Sequence, residues 1–313
     1  MKFSRDMNDD LAIGSFSKIA IIGPGLLGGS IALALRQRAP KTKIAIWARR
    51  ESALDEAQKM QLADVASTDL EKVARNAELI VFCTPIGSMS ALAEKIAPHI
   101  LQNASAIVTD VGSVKAPVVE SLSRIFQSRA KFVGSHPMAG SEQAGLSAAR
   151  ADLFENAVCI LTPDESSDEK SVEKLRAFWE LLGCRVRMLA PREHDEIIAF
   201  VSHLPHLVAA AIVNAVCAEN PDFLEFSGNG FRDTTRVASG PPAMWTEIFQ
   251  QNREPLKKSV NAMIENLRDV VKLLDAFEAG DAESIRAVER FLTEAKTQRD
   301  RIKQKNLNFP KPQ

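Results

Sequence analysis

Short apolar runs separated by turn residues mark the first 190 positions of this chain. Lys18 to Gly23 carries Ile19, Ala20, Ile21 and Ile22 in unbroken order, the pattern of a strand buried on both faces. Leu26 to Arg38 then has helical spacing, and Lys43 to Trp47 reads as a second strand. Further strands are expected at Leu79 to Cys83, Ala106 to Asp110, Phe132-Val133, Ala157 to Leu161 and Arg185 to Leu189. Helices are expected at Ser52 to Met60, Ser88 to Ile96, Val114 to Phe126 and Ser171 to Leu182. Strands alternating with helices imply a doubly wound, mostly parallel sheet covered on both faces, an α/β fold. Near Pro191 the pattern changes. Glu193 to Glu219, Ala243 to Lys272 and Ala282 to Lys303 are helical, with an irregular Gly-rich stretch from Phe223 to Pro242. The boundary therefore falls near residue 190, between a sheet domain (1–190) and an all-helical domain (191–313).

Composition narrows the function classes. The 313 residues are 45% hydrophobic and carry a net charge of −1. The basic residues form no block, which argues against a nucleic-acid partner. Cys83, Cys159, Cys184 and Cys217 are far apart and lack metal-ligand spacing, so no metal is expected and they read as reduced thiols. The start of the chain, Met1 to Ser17, has no apolar core of a signal peptide, and no apolar run approaches ~20 residues. A cytoplasmic enzyme without a membrane segment is the expectation.

Two segments carry chemistry. Gly23-Pro24-Gly25-Leu26-Leu27-Gly28 follows a strand and opens a helix, the context in which G-x-G-x-x-G binds a dinucleotide. Gly23, Gly25, Leu27 and Gly28 are candidate cofactor contacts. At the end of the second strand an acid would bind the ribose of NAD, but the chain reads Ala48-Arg49-Arg50. Arg49 and Arg50 suit a 2′-phosphate, so NADP is expected, with Glu51 keeping NAD as the alternative. Thr84 and Pro85 close a strand at the carboxyl edge, where such sheets bind ligands. The second segment, Ser135-His136-Pro137-Met138-Ala139-Gly140-Ser141-Glu142, puts one histidine in what reads as a tight loop. An imidazole near its ordinary pKa of ~6.5 can act as a base.

Five segments in order over almost the whole chain resemble the prephenate/arogenate dehydrogenases of tyrosine biosynthesis. They are the glycine motif, Thr109-Asp110-Val111-Gly112-Ser113-Val114-Lys115, the His136 segment, Ser202-His203-Leu204-Pro205-His206, and Phe231-Arg232-Asp233-Thr234-Thr235-Arg236-Val237-Ala238-Ser239. The resemblance implies an N-terminal Rossmann domain, a C-terminal helical domain that forms a homodimer, and oxidative decarboxylation of prephenate or arogenate with hydride transfer to a nicotinamide. It also implies no added mutase segment before the first strand and no regulatory domain after the last helix.

By the same resemblance His136 is the catalytic base, and Ser113 bonds the reacting hydroxyl. Ser113 also stands where a helix N-cap is expected. Arg236 would hold a substrate anion, His206 would touch the substrate, and Glu142 and Asp233 would form a polar network with the arginine. Ordinary surface charge is the plain alternative for those two acids. Trp245 would lie near the site, or simply pack in the core. His203 is expected to be structural. Hydroxyacid dehydrogenases of similar architecture depend on a lysine in the first long helix of the second domain, and none occurs between Pro191 and Asn220. A non-catalytic dinucleotide sensor would not need this set of polar residues.

Overall fold

In the computed structural model, residues 16–100, 106–127, 129–140, 143–277 and 282–307 are described. Six parallel strands form the main sheet in the order β3-β2-β1-β4-β5-β6. These are β1 (Lys18–Ile22), β2 (Lys43–Trp47), β3 (Val65–Ser67), β4 (Leu79–Phe82), β5 (Ile107–Asp110) and β6 (Lys131–Phe132). Alternate residues of each strand feed opposite faces, as the two-residue period of a strand requires. Ile19, Ile21, Ile44, Ile46, Leu79 and Val81 enter one core, while Ala20, Ile22, Ala45, Ile80 and Phe82 enter the other. The first core is closed by α1 (Leu26–Arg38) and α6 (Glu169–Leu181), which brings Phe178 and Trp179. The second is closed by α4 (Ile86–Ile96) and α5 (Ala116–Phe126). The short α2 (Glu51–Lys59) and α3 (Leu70–Ala74) complete the crossovers. β3 and α3 were not expected, because three- and five-residue elements show no period.

After β6 the chain leaves the parallel sheet. β7 (Gly134–Pro137) pairs antiparallel with β8 (Val158–Thr162), and β9 (Arg185–Met188) runs parallel to β8. His136 is thus on a strand, opposite Ile160, rather than in a loop. All four residues of β7 are buried, and Pro137, which has no N–H to give, ends the strand.

The expected helix from residue 193 is observed as α7 (Pro191–Ile198), a π-helical turn (Ala199–His203) and α8 (Leu204–Glu219). Pro205 has no N–H for the carbonyl of Val201, so the regular ladder cannot run through this point. Taken as one helix of 29 residues, Pro191–Glu219 has a mean hydropathy of 1.7 in its most apolar 18-residue window. That corrects the expectation that no segment reaches membrane length. Only 28% of the window is buried within the chain. The stretch read as irregular is also corrected: it forms 3-10 turns at Pro221–Phe226 and Arg236–Ser239 around α9 (Asn229–Thr235). The helix expected from Ala243 to Lys272 breaks at Asn252, between α10 (Pro242–Gln251) and α11 (Arg253–Phe277).

The chain divides into a compact unit ending at Leu256 and a second beginning at Lys257. The second holds most of α11 and all of α12 (Ala282–Leu307). On α11, Leu267, Val271 and Leu274 follow helical spacing and are at least half exposed.

Candidate active site

β1, β4 and β5 end side by side at Ile22, Phe82 and Asp110, which sets the carboxyl edge of the sheet. Gly23 turns the chain there with φ +108°, a left-handed conformation that favours glycine. A side chain at Gly28 would lie 2.2 Å from the Gly23 carbonyl, so helix and strand pack only because it has none. Gly25 faces open space, and no side chain caps α1 behind it. The hydroxyl of Thr84 is buried without a hydrogen-bond partner among the described residues. An uncapped helix start, an open approach at Gly25 and an orphaned hydroxyl on Thr84, whose side chain lies against Gly23, fit a dinucleotide pyrophosphate. Arg49 and Arg50 are exposed at the start of α2, while Glu51 accepts a 3.4 Å hydrogen bond from Thr68 Oγ1.

His136 is buried in a chain of polar groups. Its Nδ1 lies 2.8 Å from His194 Nε2, and His194 Nδ1 lies 2.8 Å from Asp195 Oδ1. The Asp195 carboxylate also accepts the backbone N–H groups of Lys115 (2.7 Å) and Ala116 (2.8 Å), which places a negative charge on the start of α5. A carboxylate only accepts, so His194 Nδ1 carries a proton. Neutral His194 then accepts at Nε2, His136 donates from Nδ1, and the lone pair of His136 is left on Nε2. Burial is the main force holding both imidazoles below the usual histidine range, and Lys115 adds repulsion to each.

His203 is fully buried. Asn252 Nδ2 donates to the Asp195 carbonyl at 2.9 Å and to His203 Nδ1 at 3.0 Å. Burial pushes His203 down to about 4, although the nearby Ser113 backbone favours its charged form. Ser113 therefore lies beside the histidine cluster. It does not cap α5, which begins at Ala116 behind Lys115 and is satisfied by Asp195. His206 stacks on Trp245 with centroids 3.5 Å apart and planes at 16°, and its Nδ1 has no partner among the described residues. Gly240 lies against the same stack, so the turn begun by Arg236 ends there.

The expected residues thus fall into three groups. Gly23, Gly25, Leu27, Gly28, Thr84 and Pro85 lie along the sheet edge, and His136 and Ser113 belong to the buried cluster. His206 and Trp245 form the stack, with Arg236 and Asp233 exposed on the segment that leads to it. Glu142 lies outside the described residues. Sequence reasoning gave no role to Lys115, His194, Asp195 or Asn252. Lys115 closes the Thr109-to-Lys115 motif, but nothing in Pro191-Arg192-Glu193-His194-Asp195 distinguishes a site from an ordinary helix start.

A dinucleotide-type sheet whose carboxyl edge meets a buried neutral histidine defines an NAD(P)-dependent oxidoreductase. Residues 31–188 match the nucleotide-binding domain of prephenate dehydrogenase, and residues 190–294 match its dimerization domain. The chain belongs to the prephenate dehydrogenase family. It is 36% identical to a prephenate dehydrogenase of Bacillus subtilis over 90% of this chain and 75% of that protein. The solved prephenate dehydrogenase of A. aeolicus, in complex with hydroxyphenyl propionate and NAD+, is 31% identical with a TM-score of 0.83. That match covers 92% of this chain and 99% of the other. Synechocystis arogenate dehydrogenase is 34% identical with a TM-score of 0.75, over 91% and 99% of the two chains.

Proposed function

We propose that this protein oxidises and decarboxylates prephenate to 4-hydroxyphenylpyruvate and CO2, with NADP as its preferred cofactor. When bound, the nicotinamide supplies the hydride acceptor. His136 Nε2 takes the proton of the C4 hydroxyl, and the hydride leaves C4 for that acceptor. The bond from C1 to its carboxylate breaks, the electron pair enters the ring, and CO2 departs from an aromatic product. Ser113 holds the same hydroxyl, and Arg236 and His206 hold the substrate, with Trp245, Asp233 and Glu142 around them. The carrying observation is the hydrogen-bond chain from Asp195 through His194, which leaves the free lone pair of His136 on Nε2. A base catalyst needs that protonation state at neutral pH.

Arg49 and Arg50, exposed at the start of α2, favour NADP, while Glu51 accepts a hydrogen bond from Thr68. Gly23, Gly25, Leu27 and Gly28 hold the pyrophosphate, and Thr84 and Pro85 border it. Residues 1–190 form the dinucleotide domain. Residues 191–313 take the substrate and pair two copies into a homodimer. The apolar surface of Pro191–Glu219 then meets a partner chain rather than lipid, consistent with the dimerization-domain match. The alternatives are arogenate as the substrate, favoured by the Synechocystis relative, or a cyclohexadienyl dehydrogenase that accepts both, the name carried by a Zymomonas mobilis relative. One assay decides between them: turnover with prephenate and arogenate, each with NADP and NAD. The highest kcat/KM is expected for prephenate with NADP; arogenate turnover alone, or a preference for NAD, replaces the respective half of this reading.

A further inference from the structure

Lys115 is a fully buried lysine that the mechanism above does not use. Its ammonium pairs with the equally buried Asp110 carboxylate at the end of β5. It also donates to the Ser135 carbonyl at 2.9 Å, the peptide oxygen directly before His136. Asp110 closes the other side of that residue by accepting the Ser135 N–H at 3.2 Å. The Ser135 hydroxyl is held by Thr109 Oγ1 at 2.6 Å and by Trp179 Nε1 at 3.0 Å. Every polar atom of Ser135 is therefore fixed. The backbone N–H of Lys115 meanwhile anchors Asp195, the carboxylate that orients His194 against His136. One residue ties down both the backbone that presents the base and the acid behind its hydrogen-bond chain.

We propose that Lys115 is the positioning residue for His136, acting through the Ser135 peptide with Asp110 as its counter-ion. The inference rests on His136 being the base. The groups facing the Lys115 ammonium are Asp110 on β5, Asp195 and His194 on α7, Cys159 on β8 and His136 on β7. His136 itself faces His194, His203 and Lys115. Removing the ammonium removes a cation that disfavours imidazolium, so the acid limb of activity moves toward ordinary histidine values.

The test compares Lys115→Met, Lys115→Gln and the paired Asp110→Asn/Lys115→Met with His136→Asn in the full-length protein. The pair removes both charges, so no lone carboxylate is left buried. In the folded pair variant, kcat should fall at least about tenfold, with KM and cofactor Kd within about twofold. The acid limb of the kcat/KM profile should move to higher pH in Lys115→Met and Lys115→Gln, and less in the pair, which also loses the Asp110 carboxylate. Lys115→Gln keeps a donor without the charge, so it should recover kcat more than Lys115→Met while its limb still moves. A pair variant with wild-type kcat and an unmoved limb overturns the proposal. So does a pair variant that does not fold, which would make the ion pair a requirement of folding. Near-wild-type turnover in His136→Asn would instead overturn the reading of the base itself.

Discussion

The two halves of the candidate site are built in opposite ways. Around His136 most polar groups have a partner inside the chain: Asp110, Lys115, Ser135, His194, Asp195, His203 and Asn252 connect β5, α5, β7, α7, the π-helical turn and the residue after α10. Around Arg236 and Asp233 the side chains are exposed on short helices that follow a 3-10 turn. A buried network fixes protonation and direction, because each misplaced proton costs a hydrogen bond in a low dielectric. An exposed arm fixes neither and presents its charges to solvent. On the proposed function, the first half does the chemistry and the second recognises the substrate.

Replacing the proposed base should produce the largest effect. His136→Asn is expected to lower kcat about 10²–10⁴-fold, the usual worth of a general base, with cofactor Kd unchanged. Steady-state kinetics and a cofactor titration check both. Full kcat in this variant would erase the distinction between the two halves.

Acid should open the buried half next. His136, His194 and His203 are all held below the ordinary value, so the unfolded chain binds more protons than the folded one as pH falls. Stability should therefore be fully present above about pH 6.5 and be lost below it. His203 alone, pushed down to about 4, is worth about 3 kcal/mol by the time that pH is reached. Denaturant midpoints measured from pH 7.5 to 4.5 check this; a flat profile would mean that the histidines are not buried neutral.

The exposed half should respond in binding. Arg236→Ala is expected to raise substrate KM about ten- to a hundred-fold, the cost of about 1.5–3 kcal/mol for a hydrogen bond to a charged group, with kcat nearly kept. Lysine should rescue it only in part, since it lacks the planar fork. A fall in kcat with unchanged KM would move Arg236 into the chemical half. The smallest effect is expected at the cofactor loop. Ala48→Asp with Arg49→Ser should shift the NADP-to-NAD ratio of kcat/KM by about tenfold toward NAD, the value of roughly one charge-assisted contact. No shift would mean that Arg49 and Arg50 are ordinary surface charge.

The sequence by itself determined the parallel sheet and the glycine turn, and marked His136 as a candidate. Each rests on local rules: continuous apolar strands such as Ile19 to Ile22, a positive φ at Gly23, a motif around His136. It misjudged elements whose form depends on distant pairing. His136 looked like a loop residue, yet β8, more than twenty residues further on, makes it a strand. Ser113 looked like a cap, yet a carboxylate from Asp195, 79 residues beyond Ala116, does that work. The stretch from Phe223 to Pro242 looked irregular because its helices are too short to show a period. Only the tertiary structure decided which nitrogen of His136 is free, since that follows from Asp195 and His194, which no spacing in the sequence connects to it. Protonation in a buried network is set by partners brought together across the fold, and hydrophobic patterning carries no record of which polar groups will meet.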